Sequence, residues 1–231
     1  MDKDLDYILS ISPYFTAYYK SIGCKNVIEI PPIMDCIETA INPTVRRVRH
    51  VVYAGSPAQK DLILPFLDAV AKRNEKQVDI IADIVGVSNE QVMSLMKISA
   101  PEQKCIIAYW RIPHEKCIEI VKKADFSVLL RENLRYAKAG FSTKLSESLS
   151  LGVPVLCNSV GGADEIIQDG QNGIKVEGYD TNTIIAAIDR IILLSDGDID
   201  DLKRSALNTG KHLFDGSAYV AVLNDAVNGL I

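Results

Sequence analysis

The chain has 231 residues, 48% apolar and 24% charged, with 25 basic against 30 acidic side chains for a net charge of −5. At roughly 150 residues per domain it holds one large domain, or one domain and part of another. The apolar share is enough for a packed core, which excludes a disordered chain. No block of like charge is present, so a surface that coats a nucleic acid is not expected. The longest apolar stretch, Ile184–Leu194, is interrupted by Asp189 and Arg190 and falls short of the ~20 residues of a membrane span. The start, from Met1 to Leu9, lacks the basic region and cleavage site of a signal peptide. Cys24, Cys36, Cys105, Cys117 and Cys157 are odd in number and contain no CxxC pair, so reduced thiols in a reducing cytoplasm are expected. His50, His114 and His212 lie far apart, and neither a metal nor a cofactor is expected.

In chain order, short apolar runs read as strands at Tyr7–Ser10, Val27–Ile30, His50–Ala54, Val78–Ala82, Cys105–Ala108, Phe126–Leu130, Val153–Cys157 and Ile174–Val176. Several are apolar throughout, as in strands covered on both faces. Helical stretches fall between them at Pro13–Ser21, Asp61–Lys72, Asn89–Met96, Pro113–Lys123, Thr143–Leu151 and Ala163–Gln168. Beyond residue 180 the strands stop. Thr181–Leu194 carries isoleucines at helical spacing behind Asp180 as N-cap, and Ile199–Leu213 and Ser217–Val227 read as helices. Strand alternating with helix predicts an α/β fold, a Rossmann-like doubly wound parallel sheet with C-terminal helices.

Residues 1–34 read strand, helix, strand, closed by Pro31 and Pro32, which have no N–H to pair. They are expected to be the tail of a preceding domain, with 35–48 a linker, 49–215 the main domain and 216–231 a C-terminal helix.

The stretch with chemical content runs from Ala139 to Val155. Gly140 permits a tight turn out of a strand, and Ser142 or Thr143 can cap the helix it opens. The N–H groups and dipole of that helix favour phosphate. Glu147 lies one turn in, with Lys144 its i−3 neighbour; a carboxylate there accepts hydrogen bonds from vicinal hydroxyls such as a ribose presents. The bland alternative is a surface Lys144–Glu147 ion pair. Downstream, the Gly161-Gly162 pair follows a strand, where it either lets backbone approach a ligand or simply forms a loop. Asp169-Gly170 and Asn172-Gly173 signal turns. Neither GxxxxGK[ST] nor a strand-following GxGxxG occurs, which argues against a P-loop enzyme or a dinucleotide dehydrogenase.

From Gly140, Phe141 and Glu147 through Gly152–Val155 to Gly161, Gly162, Glu165, Asp169, Gly170, Asn172 and Gly173, the sequence resembles the C-terminal, nucleotide-sugar-binding domain of family 4 (group 1) retaining glycosyltransferases. Those enzymes have the two-domain GT-B fold. Val51–Gly55 with Lys60 is similar to the family's first strand, glycine turn and phosphate-binding lysine, and residues 6–35 resemble the end of its N-terminal domain. The resemblance implies a nucleotide-sugar site of Gly55, Lys60, Arg111, Ile112, Gly140, Phe141, Ser142, Lys144 and Glu147. Arg111 and Ile112 would contact a uracil or guanine through their backbone, while His114 reads as a helix-start residue. Acceptor-side residues are expected in a missing N-terminal domain, so no catalytic residue is assigned and this chain alone is expected to be inactive.

Two positions depart from the family pattern. Ala139 stands where the first glutamate of a pair is usual, a form that some bacterial polysaccharide enzymes share, and Ser56 stands where an arginine is usual. Arg131 and Arg135 either compensate for Ser56 or form a solvated basic surface. The implied activity is transfer of a hexosyl unit from a nucleoside-diphosphate sugar to a glycan or lipid-linked acceptor, in bacterial polysaccharide or glycoconjugate synthesis. The implied place is the cytoplasm or the inner face of the membrane, with membrane contact only through the missing domain. The alternatives are a non-catalytic nucleotide-sugar-binding module and a GT-B sugar-nucleotide epimerase.

Overall fold

The computed structural model describes residues 4–36, 45–56, 60–97 and 105–229. The chain opens with β1 (Ile8–Ser10), α1 (Pro13–Ser21) and β2 (Val27–Glu29), whose two strands pair in parallel as a small sheet. A second sheet follows: β3 (Arg49–Ala54), α2 (Ile63–Arg73), β4 (Ile80–Val85), α3 (Asn89–Met96), β5 (Ile106–Tyr109), α4 (His114–Lys123) and β6 (Phe126–Leu129). Then come α5 (Arg135–Ala139), α6 (Thr143–Ser150), β7 (Val155–Asn158), α7 (Ala163–Ile166) and β8 (Gly173–Val176). α8 (Thr181–Leu193), α9 (Asp196–Phe214), a 3-10 turn at Gly216–Tyr219 and α10 (Val220–Asn228) complete the described chain.

The six strands are all parallel, in the order β5-β4-β3-β6-β7-β8. From β3 the chain runs outward to β5, then returns to the other side of β3 and continues to β8. This doubly wound, Rossmann-like arrangement opens a crevice at the carboxyl ends of β3 and β6, the switch point where such sheets bind ligands.

Both faces of the sheet are covered, which is why its strands are apolar on successive residues. One face packs Val51, Ile80, Ile84, Phe126 and Leu156 against Phe66, Leu67, Ile184 and Ile188 of α2 and α8. On the other, Val52, Val85 and Val153 meet Val121 of α4, and a neighbouring cluster joins Leu145 and Leu149 of α6 to Cys157 and Phe214. α9 approaches α6 so closely that a Cβ on Gly210 would fall 2.6 Å from the Leu149 carbonyl and 2.7 Å from Ser150 Cα.

Most boundaries follow from local chemistry, including those that differ from expectation. β4 starts at Ile80 rather than Val78, because the Asn74 carboxamide oxygen accepts the N–H of Asp79 and of Ile80 and holds that approach as a turn. β7 starts at Val155 rather than Val153, after Pro154, whose nitrogen has no hydrogen to give. α9 starts three residues before Ile199, set by a capping box in which Ser195 and Asp198 bond each other's backbone. α5 is absent from the sequence reading; five residues are too few to show a helical period. Asp180 caps α8 as expected, accepting from the N–H of Asn182 and Thr183.

The opening β1–α1–β2 piece is tied to the larger sheet's layer. The Ser12 hydroxyl donates to the Ala139 carbonyl at 2.6 Å, and the Met34 N–H donates to the Phe214 carbonyl at 2.9 Å. Residues 37–44 of the expected linker lie outside the described residues. Among the described residues no helix is long and apolar enough to cross a membrane.

Candidate functional site

The crevice is built on strand ends. Gly55 leaves β3 with φ of +145°, a backbone region that favours glycine, and Gly86 leaves β4 with φ of +92°, where a Cβ would fall 2.6 Å from the Gly55 carbonyl oxygen. Across the switch point, Arg131 follows β6. Asn158, the last residue of β7, clamps its backbone, donating to the Arg131 carbonyl at 2.6 Å and accepting its N–H at 3.0 Å. The Leu62 N–H donates to the Leu130 carbonyl, which ties the start of α2 to the same edge.

At the centre lies Asp61, whose side chain is 4% exposed. Its Oδ2 accepts from Lys144 Nζ at 2.6 Å and from the Tyr53 hydroxyl at 2.9 Å, and its Oδ1 accepts from Arg131 Nε at 2.8 Å. Burial alone would raise the Asp61 pKa, but the hydrogen bonds from Lys144 and Arg131 outweigh it and hold the carboxyl below its ordinary range. Burial, followed by the Asp61 charge, pushes Tyr53 far above the usual phenol range, so it stays a donor. Lys144 also lies 5.2 Å from the centre of the Tyr53 ring and crosses directly over Gly55, where a Cβ would sit 2.5 Å from its Cε. The missing side chain of Gly55 is thus the space through which Lys144 reaches Asp61.

Lys144 therefore does not pair with Glu147, which overturns the surface ion pair held open by the sequence. Glu147 is half-buried, and no hydrogen bond to its carboxylate is formed among the described residues. It lies close enough to Cys117 of α4 to add to the rise in that thiol's pKa, whose larger cause is burial. Ile112, just before α4, packs in the same cluster as Cys117. Helix α6 thus presents Lys144 toward the β3–β6 crevice and Glu147 toward α4 and the β5 end. There Arg111 adopts φ of +47° and sets its guanidinium 4.7 Å over the Trp110 ring, with both side chains exposed.

The remaining candidates are placed as follows. Lys60 is exposed and forms no ion pair among the described residues. Gly140 follows α5 rather than a strand and has φ of −79°, so the expected tight strand turn is not there; the bend is made by two short helices in succession. Ser142 precedes α6 but gives it no side-chain cap, and Thr143 is already its first residue, which corrects the capping expected of either. The Ser142 hydroxyl is buried without a partner among the described residues. Phe141 turns inward, its ring 5.8 Å from that of Phe214 and pressed on Gly162, where a Cβ would meet it at 2.8 Å. Gly161, at φ of +60°, likewise admits the Ala137 carbonyl. The glycine pair therefore serves packing of the α5–α6 turn. Arg135 is exposed, whereas Arg131 is 15% exposed and bonded, which resolves the basic-surface alternative differently for the two.

Asp61 is not marked as a site residue by the sequence. Its sequence signal, an acid directly before the apolar run Leu62–Leu64, marks only a helix start, and nothing local names its cations.

The profile of the glycosyl transferases group 1 family matches residues 49–208, and the chain belongs to that family. A search of curated protein sequences returns no match. Among solved structures, sucrose-phosphate synthase from Thermosynechococcus elongatus superposes with a TM-score of 0.76 at 17% identity, over 99% of this chain and 59% of that one. The Anabaena protein HepE, solved with UDP and glucose, gives 0.74 at 14% identity, over 98% and 64%. The pneumococcal O-GlcNAc transferase GtfA, solved with UDP and GlcNAc, gives 0.72 at 14% identity, over 98% and 46%. The superpositions show the fold, a Rossmann-like half of the GT-B type. The chain spans roughly half to two thirds of the length of these structures.

Proposed function

We propose that this chain is the donor-binding half of a family 4 retaining glycosyltransferase. It would move a hexosyl unit from a nucleoside-diphosphate sugar to a glycan or lipid-linked acceptor, in bacterial polysaccharide or glycoconjugate synthesis. The observation that carries this reading is the division of labour on α6. Lys144 is committed to the cationic crevice at the switch point, and Glu147 is left with an unbonded carboxylate one turn further on. In that reading the crevice faces the diphosphate, and Glu147 accepts the ribose hydroxyls. The backbone of Arg111 and Ile112 borders the base, and the backbone of Gly140 to Ser142 lines the sugar. Lys60 stands at the rim as a second, solvated phosphate contact.

Chemically, a retaining transfer develops negative charge on the departing diphosphate, and cations fixed before the reaction stabilise it without reorganising. Residues 1–34 are proposed as the end of an N-terminal Rossmann-like domain and 49–215 as the donor domain, with acceptor-side groups outside this chain. The test is a thermal-shift screen with UDP-, GDP- and ADP-sugars, in which one nucleotide series raises the midpoint and its free nucleoside does not. A flat response to all three series contradicts the reading.

A non-catalytic nucleotide-sugar-binding module is the second reading, favoured by Ala139. That residue offers the site no carboxylate, and its carbonyl is occupied by Ser12. The two separate on release of nucleoside diphosphate from the bound donor when an acceptor-side domain and a glycan acceptor are supplied together.

A further inference from the structure

Asp61, Arg131 and Lys144 form a triad of one buried anion and two partly buried cations, with side chains 4%, 15% and 21% exposed. Removing charges from water is costly unless they are matched. Among the described residues no second carboxylate pairs with either cation, so one positive charge stays uncompensated at the switch point of the sheet. A triad that served only to hold the fold would be expected to balance.

The hydrogen-bond inventory points the same way. Arg131 spends one of its five N–H groups on Asp61, and Lys144 one of its three. The Asp61 carboxylate is saturated by comparison, with Tyr53 as its third donor. Its position is fixed from behind by β3 through Tyr53, while Asn158 fixes the backbone of Arg131. Two long, flexible cations are thereby held side by side, with their remaining donors unassigned.

We propose that Asp61 is the positioning residue of a diphosphate site. It holds Arg131 and Lys144 at the ends of β3 and β6, so that these two cations meet the phosphates of a nucleoside diphosphate in place of the arginine that Ser56 replaces. The inference rests on the nucleotide-sugar reading above and deepens it: Arg131 and Lys144 become the principal phosphate contacts and Lys60 a peripheral one. Binding is then favoured because the rotamer freedom of both side chains is already given up in the free protein.

The experiment titrates UDP, GDP and ADP, each beside its nucleoside, into the unaltered chain and into Asp61→Asn. Asp61→Asn keeps the shape and removes a negative charge, so bulk electrostatics alone would tighten diphosphate binding. Positioning gives the opposite sign: diphosphate affinity falls about tenfold or more while nucleoside affinity stays within about twofold. In a Lys144→Met background the same Asp61 change should cost less than about threefold, because the two act as one unit. Tighter diphosphate binding in Asp61→Asn, equal loss for diphosphate and nucleoside, or unchanged affinity overturns the proposal. If Asp61→Asn does not fold, Arg131→Met and Lys144→Met replace it. Each should lose about tenfold for the diphosphate alone, and retention in either overturns the proposal. Failure of the unaltered chain to bind any of the three diphosphates overturns both this inference and the reading beneath it.

Discussion

Lys144 turns away from Glu147, its neighbour three residues on along the same helix, and bonds Asp61 at 2.6 Å across 83 positions of chain. That choice separates two chemistries on one short helix. A Lys144–Glu147 pair would neutralise both groups at the surface; the observed pairing leaves a cationic crevice on one side and an acceptor carboxylate on the other.

Glu147→Ala should weaken nucleoside diphosphate binding by about 1–3 kcal/mol, the scale of hydrogen bonds to a charged group. Because the Glu147 carboxylate has no hydrogen bond among the described residues, the thermal midpoint of the free protein should hardly move. Calorimetry and melting of the same sample check both halves. Unchanged affinity removes Glu147 from the ribose role.

Lys60→Ala should have a small effect, under about 1 kcal/mol, since an exposed charge meets its partner in water and is screened by salt. The loss should fall on the diphosphate rather than the nucleoside and should vanish between low and high salt. A salt-insensitive loss of tenfold or more on the diphosphate, about 1.4 kcal/mol, would return the main phosphate role to Lys60.

Gly55→Ala tests the path of Lys144. The added Cβ would sit 2.5 Å from Lys144 Cε, at a φ of +145° that side chains rarely adopt. Diphosphate affinity should drop and the fold should lose about 1–3 kcal/mol from strain and displaced packing. Paired titration and urea unfolding measure the two effects.

Acid should dissolve the crevice. The folded pKa of Asp61 is depressed, so its contribution to stability is present above the unfolded value of about 3.9 and is lost as pH falls through the folded one. Unfolding free energy measured between pH 7 and pH 3 should fall less steeply at the acid end in Asp61→Asn than in the unaltered chain. Parallel curves would show that the carboxylate contributes nothing through its charge.

The parts of the fold that were legible in the sequence are those with local causes. α1 and α3 begin where expected because Ser12 and Ser88 cap them with their own hydroxyls. The doubly wound parallel sheet follows from strand alternating with helix. In sequence Asp61 shows only as a helix start, because its partners, Arg131 and Lys144, lie 70 and 83 residues away and no spacing rule links them. In sequence the glycine pair stays open between a ligand approach and a plain loop, because sequence shows only that a side chain is missing. The structure shows that the space is taken by Phe141 and the Ala137 carbonyl.

The central claim is that the β3–β6 crevice recognises a diphosphate carried by a nucleoside. The most direct measurement is calorimetric titration of the unaltered 231-residue chain with UDP, GDP and ADP against uridine, guanosine and adenosine at low salt. One saturable site is expected for at least one diphosphate, about tenfold or more tighter than its nucleoside, with the difference shrinking as salt rises. No heat from any diphosphate, or equal affinity for a diphosphate and its nucleoside, would contradict it.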